Sequence, residues 1–177
     1  MSHSENRNIY DVKVFDNKLY LVGEGGLAKQ GSFYFFGINT TNLPITGGAT
    51  TSSNLHAITI TQDNRMYIAG ENGTVLYSPV ATGTGSMPLN LLNQGNVDLY
   101  SISAIPGQNG RVLMAGENGR IQTQIGAMQM INNHVYVPPL RDVHFKNGAE
   151  ATIIADNFVV RSTVMGENNW QVVLPPS

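Results

Sequence analysis

The chain has no cysteine among its 177 residues, which removes disulfides, thiolate metal sites and cysteine nucleophiles together. Charge is also scarce. Asp, Glu, Lys and Arg make up 12% of the residues, where about 25% is usual, and 10 basic against 12 acidic side chains give a formal net charge of −2. That balance lacks the basic footprint that holds duplex nucleic acid, so no nucleic-acid partner is expected. No run of about 18 apolar residues occurs, so no membrane-spanning helix is expected either. Residues 1–8 are polar and carry Glu5 and Arg7, unlike the apolar centre of a secretory signal. They read as a flexible end, and both virion and cytoplasm fit as locations.

Glycine is plentiful, at 19 of 177 residues, well above the usual share of about 7%. Many glycines and few charges point to a turn-rich β protein with neutral loops. Comparing the sequence with itself shows why. Residues 55–79 read LHAITITQDNRMYIAGENGTVLYSP, and 99–124 read LYSISAIPGQNGRVLMAGENGRIQTQ. A third copy, IYDVKVFDNKLYLVGEGGLAKQ, occupies 9–30, and a weaker one, LRDVHFKNGAEATIIADNFVVRST, occupies 140–163. The copies open at Ile9, Leu55, Leu99 and Leu140.

Within each copy the apolar period is two, broken at short intervals by Gly, Asn and Asp, which predicts short strands joined by tight turns. In the second copy these are 55–61, 66–71, 74–77 and an outer strand near 89–92; the outer strand of the fourth copy is expected at 171–174. A four-stranded unit recurring every 40 to 47 residues is the signature of β-propeller blades. The chain therefore reads as all-β, a single domain over 9–174 with four antiparallel blades at 9–54, 55–98, 99–139 and 140–174, then a tail at 175–177. No split blade joins the two ends. We expect a closed four-bladed ring, with an open arc completed by partner chains as the alternative.

The most specific element is the turn between the second and third strands, Gly23-Glu24-Gly25-Gly26, Gly70-Glu71-Asn72-Gly73 and Gly116-Glu117-Asn118-Gly119. Its last two residues supply the positive backbone angles of a two-residue hairpin. The leading glycine marks a close backbone approach or a bulge. The fourth copy, Ala155-Asp156-Asn157-Phe158, is expected to turn differently.

Strand, Gly-Glu-Asn-Gly and strand, repeated behind Leu-x-x-Ile openings, resembles the blades of the photosystem II assembly factor type and of the wider BNR, or Asp-box, propellers. Their Ser-x-Asp-x-Gly-x-x-Trp signature is approached by Ser162 to Trp170, STVMGENNW, with Val164 in the Asp position and the Trp one residue late. The resemblance implies a propeller that serves either as a binding platform or as a glycosidase. A sialidase-like site would need an arginine cluster, a Tyr nucleophile with a Glu partner, and an acid. Arg65 and Arg111 sit at equivalent positions of different blades, and no Ser/His/Asp set or metal-ligand spacing is present. No catalytic residue, metal site or cofactor is assigned.

Propeller geometry singles out other positions. Tyr10, His56, Tyr100 and Arg141 are the second residues of the four copies, so they should recur around the rim of the central channel, with Glu24, Glu71 and Glu117 nearby. Such a rim would bind a protein or glycan where aromatic bodies and carboxylates converge; the architectural reading is that each Glu accepts turn or neighbouring-strand N–H groups and each Tyr fills space between blades. Phe33-Tyr34-Phe35-Phe36, in the segment after the third strand of the first copy, reads either as an outer strand or as an interface for self-association. The function expected is a non-catalytic interaction or structural module, such as a virion component; a glycan-active, sialidase-like hydrolase is the alternative.

Overall fold

The computed structural model describes residues 6–34, 37–44, 51–81, 88–93, 95–126, 128–134, 138–162 and 170–173. These form four four-stranded antiparallel sheets, each built from consecutive strands. Blade 1 contains β1 (Ile9–Phe15), β2 (Lys18–Gly23), β3 (Leu27–Tyr34) and β4 (Gly37–Asn42). Blade 2 contains β5 (Leu55–Ile60), β6 (Met66–Gly70), β7 (Thr74–Ser78) and β8 (Asn90–Asn93). Blade 3 contains β9 (Leu99–Ala104), β10 (Arg111–Gly116), β11 (Arg120–Ile125) and β12 (Met128–His134). Blade 4 contains β13 (Leu140–Phe145), β14 (Ala151–Ala155), β15 (Val159–Ser162) and β16 (Trp170–Val173).

Successive blades stack face to face, and the core consists of the layers between them. Tyr20, Val22 and Ala28 of blade 1 pack on Leu55, Ile58, Ile60 and Ile68 of blade 2. Ala57, Tyr67, Ala69 and Val75 on the opposite face of blade 2 meet Leu99, Ile102, Val112 and Met114. Leu113, Ala115 and Ile121 then meet Leu140, Val143, Phe145 and Ile153 of blade 4. Both faces of an inner blade are thus buried, so near-continuous apolar strands such as Met66–Gly70 are buried throughout, and charge has few places to sit.

Polar bonds join the blades in the same repeating way. The Tyr20 hydroxyl donates to the Ala81 carbonyl at 2.8 Å. The equivalent Tyr67 donates to Gly110 O at 2.6 Å and accepts from Gly126 N at 2.7 Å, and burial pushes its phenol pKa up. Along the first strands, Ile58 N donates to Asp11 Oδ2 at 2.9 Å, and Val143 N donates to Ser101 Oγ at 3.1 Å.

The turns behave as their residues require. Asn72 and Asn118 have φ of 54°, and Gly73 and Gly119 have φ of 65° and 68°. The leading glycines are extended, so backbone angle does not explain them. Close approach does: a Cβ on Gly23, Gly70 or Gly116 would overlap the carbonyl oxygen of Asn8, Asn54 or Asp98 respectively. In blade 4 the turn is one residue shorter, because Ile154 pairs with Val159 where Ala69 pairs with Val75.

Two expectations are corrected. Among the described residues the four blades form an open arc and not a closed ring: β1 packs on β5, β5 on β9 and β9 on β13, and no comparable packing joins β13 to β1. The aromatic run is not the outer strand of blade 1. Phe33 and Tyr34 end β3, Phe35 and Phe36 lie outside the described residues, and the outer strand is Gly37–Asn42. The third strand continues through Gly31 because β4 lies so close there that a Cβ would press on Asn39 O at 2.8 Å. The outer strand of blade 4 falls at Trp170–Val173, while Leu174 and most of the Ser162 to Trp170 segment lie outside the described residues.

Candidate functional site

The second residue of each first strand follows a register shift: β1 shifts between Ile9 and Asp11, β5 between Leu55 and Ala57, and β13 between Leu140 and Asp142. On β9, the opposing β10 shifts between Ala115 and Gly116. Such a bulge leaves one residue unpaired and re-aims its side chain. The re-aimed residues are Tyr10, His56, Tyr100 and Arg141, and they meet. The Tyr10 and His56 rings lie 5.5 Å apart at 37°, and the His56 and Tyr100 rings 5.6 Å apart at 59°. The Arg141 guanidinium stands 5.2 Å from the centre of the Tyr100 ring, within cation–π range. One continuous row therefore crosses all four blades on the rim of the arc. His56 Nε2 is buried there without a hydrogen-bond partner.

The carboxylates beside the row are mostly engaged. Glu24 Oε2 accepts from Asn8 N at 3.1 Å. Glu71 takes both Asn54 N, at 3.1 Å, and Asn54 Nδ2, at 2.7 Å. Each thus ties its turn to the residue just before the first strand of its own blade. Tyr100 sits amid acidic neighbours: its phenol pKa is raised by burial first and then by the charges of Asp98 and Glu117, with Arg141 opposing them. Arg141 is held by Asp156, Nε to Oδ1 at 2.9 Å, and that hydrogen bond keeps the exposed Asp156 carboxyl below the usual carboxylate range.

Sequence reasoning missed the residue just before each first strand. Asn54 Oδ1 accepts from Gly25 N at 2.9 Å, and Asp98 Oδ1 accepts from Asn72 N at 2.8 Å. Each caps the turn of the preceding blade and so fixes neighbouring rim positions to one another. The signal was present: Asn8, Asn54 and Asp98 stand immediately before three of the four repeat openings.

Other features lie away from the row. Phe33 is 46% exposed and pairs across β3 and β4 with Ile38, which is 48% exposed. The side chain of Tyr34 lies outside what is described. A cavity of about 290 Å³ on blade 4 is lined by Lys146, Glu150, Thr152 and Arg161, at the strand ends opposite Arg141. Among the described residues, no group of three His, Asp or Glu is placed to hold a metal ion, and no helix is long and apolar enough to cross a membrane.

No protein-family model and no curated protein matches the chain. Solved structures do. YCF48 bound to a D1 peptide superposes with a TM-score of 0.70 at 14% identity, over 97% of this chain and 54% of that one. An ancestral GH74 enzyme superposes with a TM-score of 0.68 at 16% identity, over 96% of this chain and 24% of that one. The chain thus has a β-propeller fold and spans about half of one neighbour and a quarter of the other.

Proposed function

We propose that the chain is a non-catalytic binding module that holds an extended peptide segment of another protein along its rim. The observation that carries this reading is the unbroken row of Tyr10, His56, Tyr100 and Arg141. Rigid amphipathic rings present contact area with few rotamers to freeze, and an arginine at one end adds a planar donor set, which is the composition of protein-binding hot spots. A solved neighbour of the same fold is bound to a peptide. The chemistry of the row supports binding over hydrolysis, because the Glu24 and Glu71 carboxylates are occupied by Asn8 and Asn54 and so are poorly placed as acid or nucleophile.

A displayed random-peptide library, selected on the wild type, tests this. Selected peptides should bind at least roughly tenfold more weakly to the Tyr10→Ala, Tyr100→Ala double variant, a loss of about 1.4 kcal/mol or more, while its melting temperature stays close to that of the wild type. Failure to select any peptide, or binding that ignores the double substitution, would defeat the reading. Retention of oligosaccharides instead, on a glycan array run in parallel, would also defeat it.

A further inference from the structure

The three internal junctions of the arc are built alike, and its two outer faces carry the two halves of that same junction. At each internal junction the apolar first-strand residues of one blade press on the preceding blade: Leu55, Ile58 and Ile60, then Leu99 and Ile102, then Leu140, Val143 and Phe145 are all buried. Their equivalents on blade 1 are Ile9, Val12 and Val14, which are 48%, 48% and 57% exposed. The receiving face of each junction centres on Val22, Ala69 or Ala115, all fully buried. Its equivalent on blade 4 is Ile154, 48% exposed, with Val173 nearby at 39%.

The polar bond found at the first and third internal junctions, where Asp11 and Ser101 accept from Ile58 N and Val143 N, is also prepared. Asp11 uses Oδ1 for its own neighbour, Val12 N, and Oδ2 for Ile58 N of the next blade. Asp142, at the same position of blade 4, uses Oδ1 for Ser101 Oγ and for Val143 N. Its Oδ2 has no protein donor among the described residues and occupies the place from which Asp11 reaches the following blade.

We infer that two copies of this chain close head to tail, the outer face of blade 4 in each seated on the outer face of blade 1 in the other, to give an eight-bladed ring. Each new junction continues the pattern of the internal ones. Ile154 meets Ile9 and Val12 as Val22 meets Leu55 and Ile58, and Asp142 Oδ2 accepts from Val12 N of the second copy. Eight blades lie within the usual range of about 4 to 8, and a head-to-tail contact that closes makes a finite ring and no filament. Closure also extends the rim row, bringing Arg141 of one copy beside Tyr10 of the other. The inference stands apart from the peptide-binding reading, since it rests on the end faces and its readout is mass.

Sedimentation equilibrium of the purified chain at roughly 100 µM should give twice the monomer mass of 19.1 kDa. Val12→Asp with Val14→Asp, on one face, and Ile154→Arg, on the other, should each leave a monomer whose melting curve is still cooperative, because all three side chains are exposed in the single chain. Mixing the two variants should restore dimers, since one junction is then wild type and the other sets the introduced acids against the introduced arginine. A monomeric wild type, an assembly of another size, a dimer that survives either substitution, or variants that stay monomeric when mixed would each overturn the inference.

Discussion

Blades 2 and 3 have a neighbour on each face, whereas blades 1 and 4 have one each, and residues of the same type at the same repeat position take opposite environments as a result. Ile58 is 4% exposed and Val12 48%; Ala69 is fully buried and Ile154 48% exposed. Strand, turn and register are nearly the same in both settings. The difference shows that a blade is specified by its own sequence, while the burial of its faces is specified by what lies beside it.

The largest expected contrast is between matched truncations. Ile58→Ala removes a side chain packed on Tyr20 and Val22 and should cost about 3 kcal/mol, combining lost transfer energy with an unfilled cavity. Val12→Ala, at the equivalent position of blade 1, should cost about 0.5 kcal/mol, as surface changes do. Urea unfolding at a dilution where the chain is monomeric measures both. Equal costs would mean that blade 1 is covered in solution even then.

The same contrast marks what could be read without a structure. The repeat, the four strands per blade and the turns were legible because they depend on local residue types: Thr74 to Tyr77 was expected as a strand, and Thr74–Ser78 is one. The rim row was legible because equivalent positions in stacked repeats fall side by side. Closure was not legible, since Ile9, Val12 and Val14 look like any buried first strand. Nor was the burial of the third strand of blade 3, where Arg120, Gln122 and Gln124 are buried at 8%, 0% and 0%. Alternation would place such residues in water; here Arg120 donates to Gln122 Oε1 at 3.0 Å and Gln124 donates to Gly126 O at 2.7 Å. A pattern rule cannot foresee partners supplied by the fold. The Phe33 to Phe36 run was misplaced for a related reason: Gly31 looks like a strand end until the close approach of β4 shows why a glycine belongs inside the strand.

A second contrast sharpens the first through the turns. Gly70→Ala sets a methyl group against the Asn54 carbonyl, whose oxygen accepts from Glu71 N at 2.9 Å while the Asn54 N–H donates to the Glu71 carboxylate. It should cost roughly 2–3 kcal/mol as an overpacking change that backbone must absorb. Gly23→Ala makes the same collision with Asn8, which Glu24 holds through the same two bonds, but Asn8 is exposed and precedes the uncovered first strand, so it can shift. We expect about 1 kcal/mol there. Thermal melting of the pair decides it; a smaller effect at Gly70 than at Gly23 would show that the inner turn gives way more easily than its contacts imply.

The smallest effect is expected at Asp156, where the end blade replaces an enclosed carboxylate with an exposed one. In blade 2 the Glu71 carboxylate is bound to backbone and side-chain N–H groups of Asn54, whereas in blade 4 Asp156 meets, among the described residues, the Arg141 guanidinium alone, at 2.9 Å and 3.4 Å. Both partners are close to half exposed, so solvent and salt screen the attraction and Asp156→Asn should leave the melting temperature nearly unchanged at neutral pH. The pair should still be visible in the titration. Its hydrogen bond lowers the folded carboxyl pKa, so the unfolded chain binds the proton first as pH falls. The small contribution to stability is therefore complete above the ordinary carboxyl range and is lost as pH drops through the lowered folded value. An NMR titration of the Asp156 carboxyl should find it below the usual range in the wild type and back near that range in Arg141→Gln. An Asp156 that titrates identically in the two proteins would show that the guanidinium spends its time over the Tyr100 ring, leaving the end of the rim row with a free cation to offer a ligand.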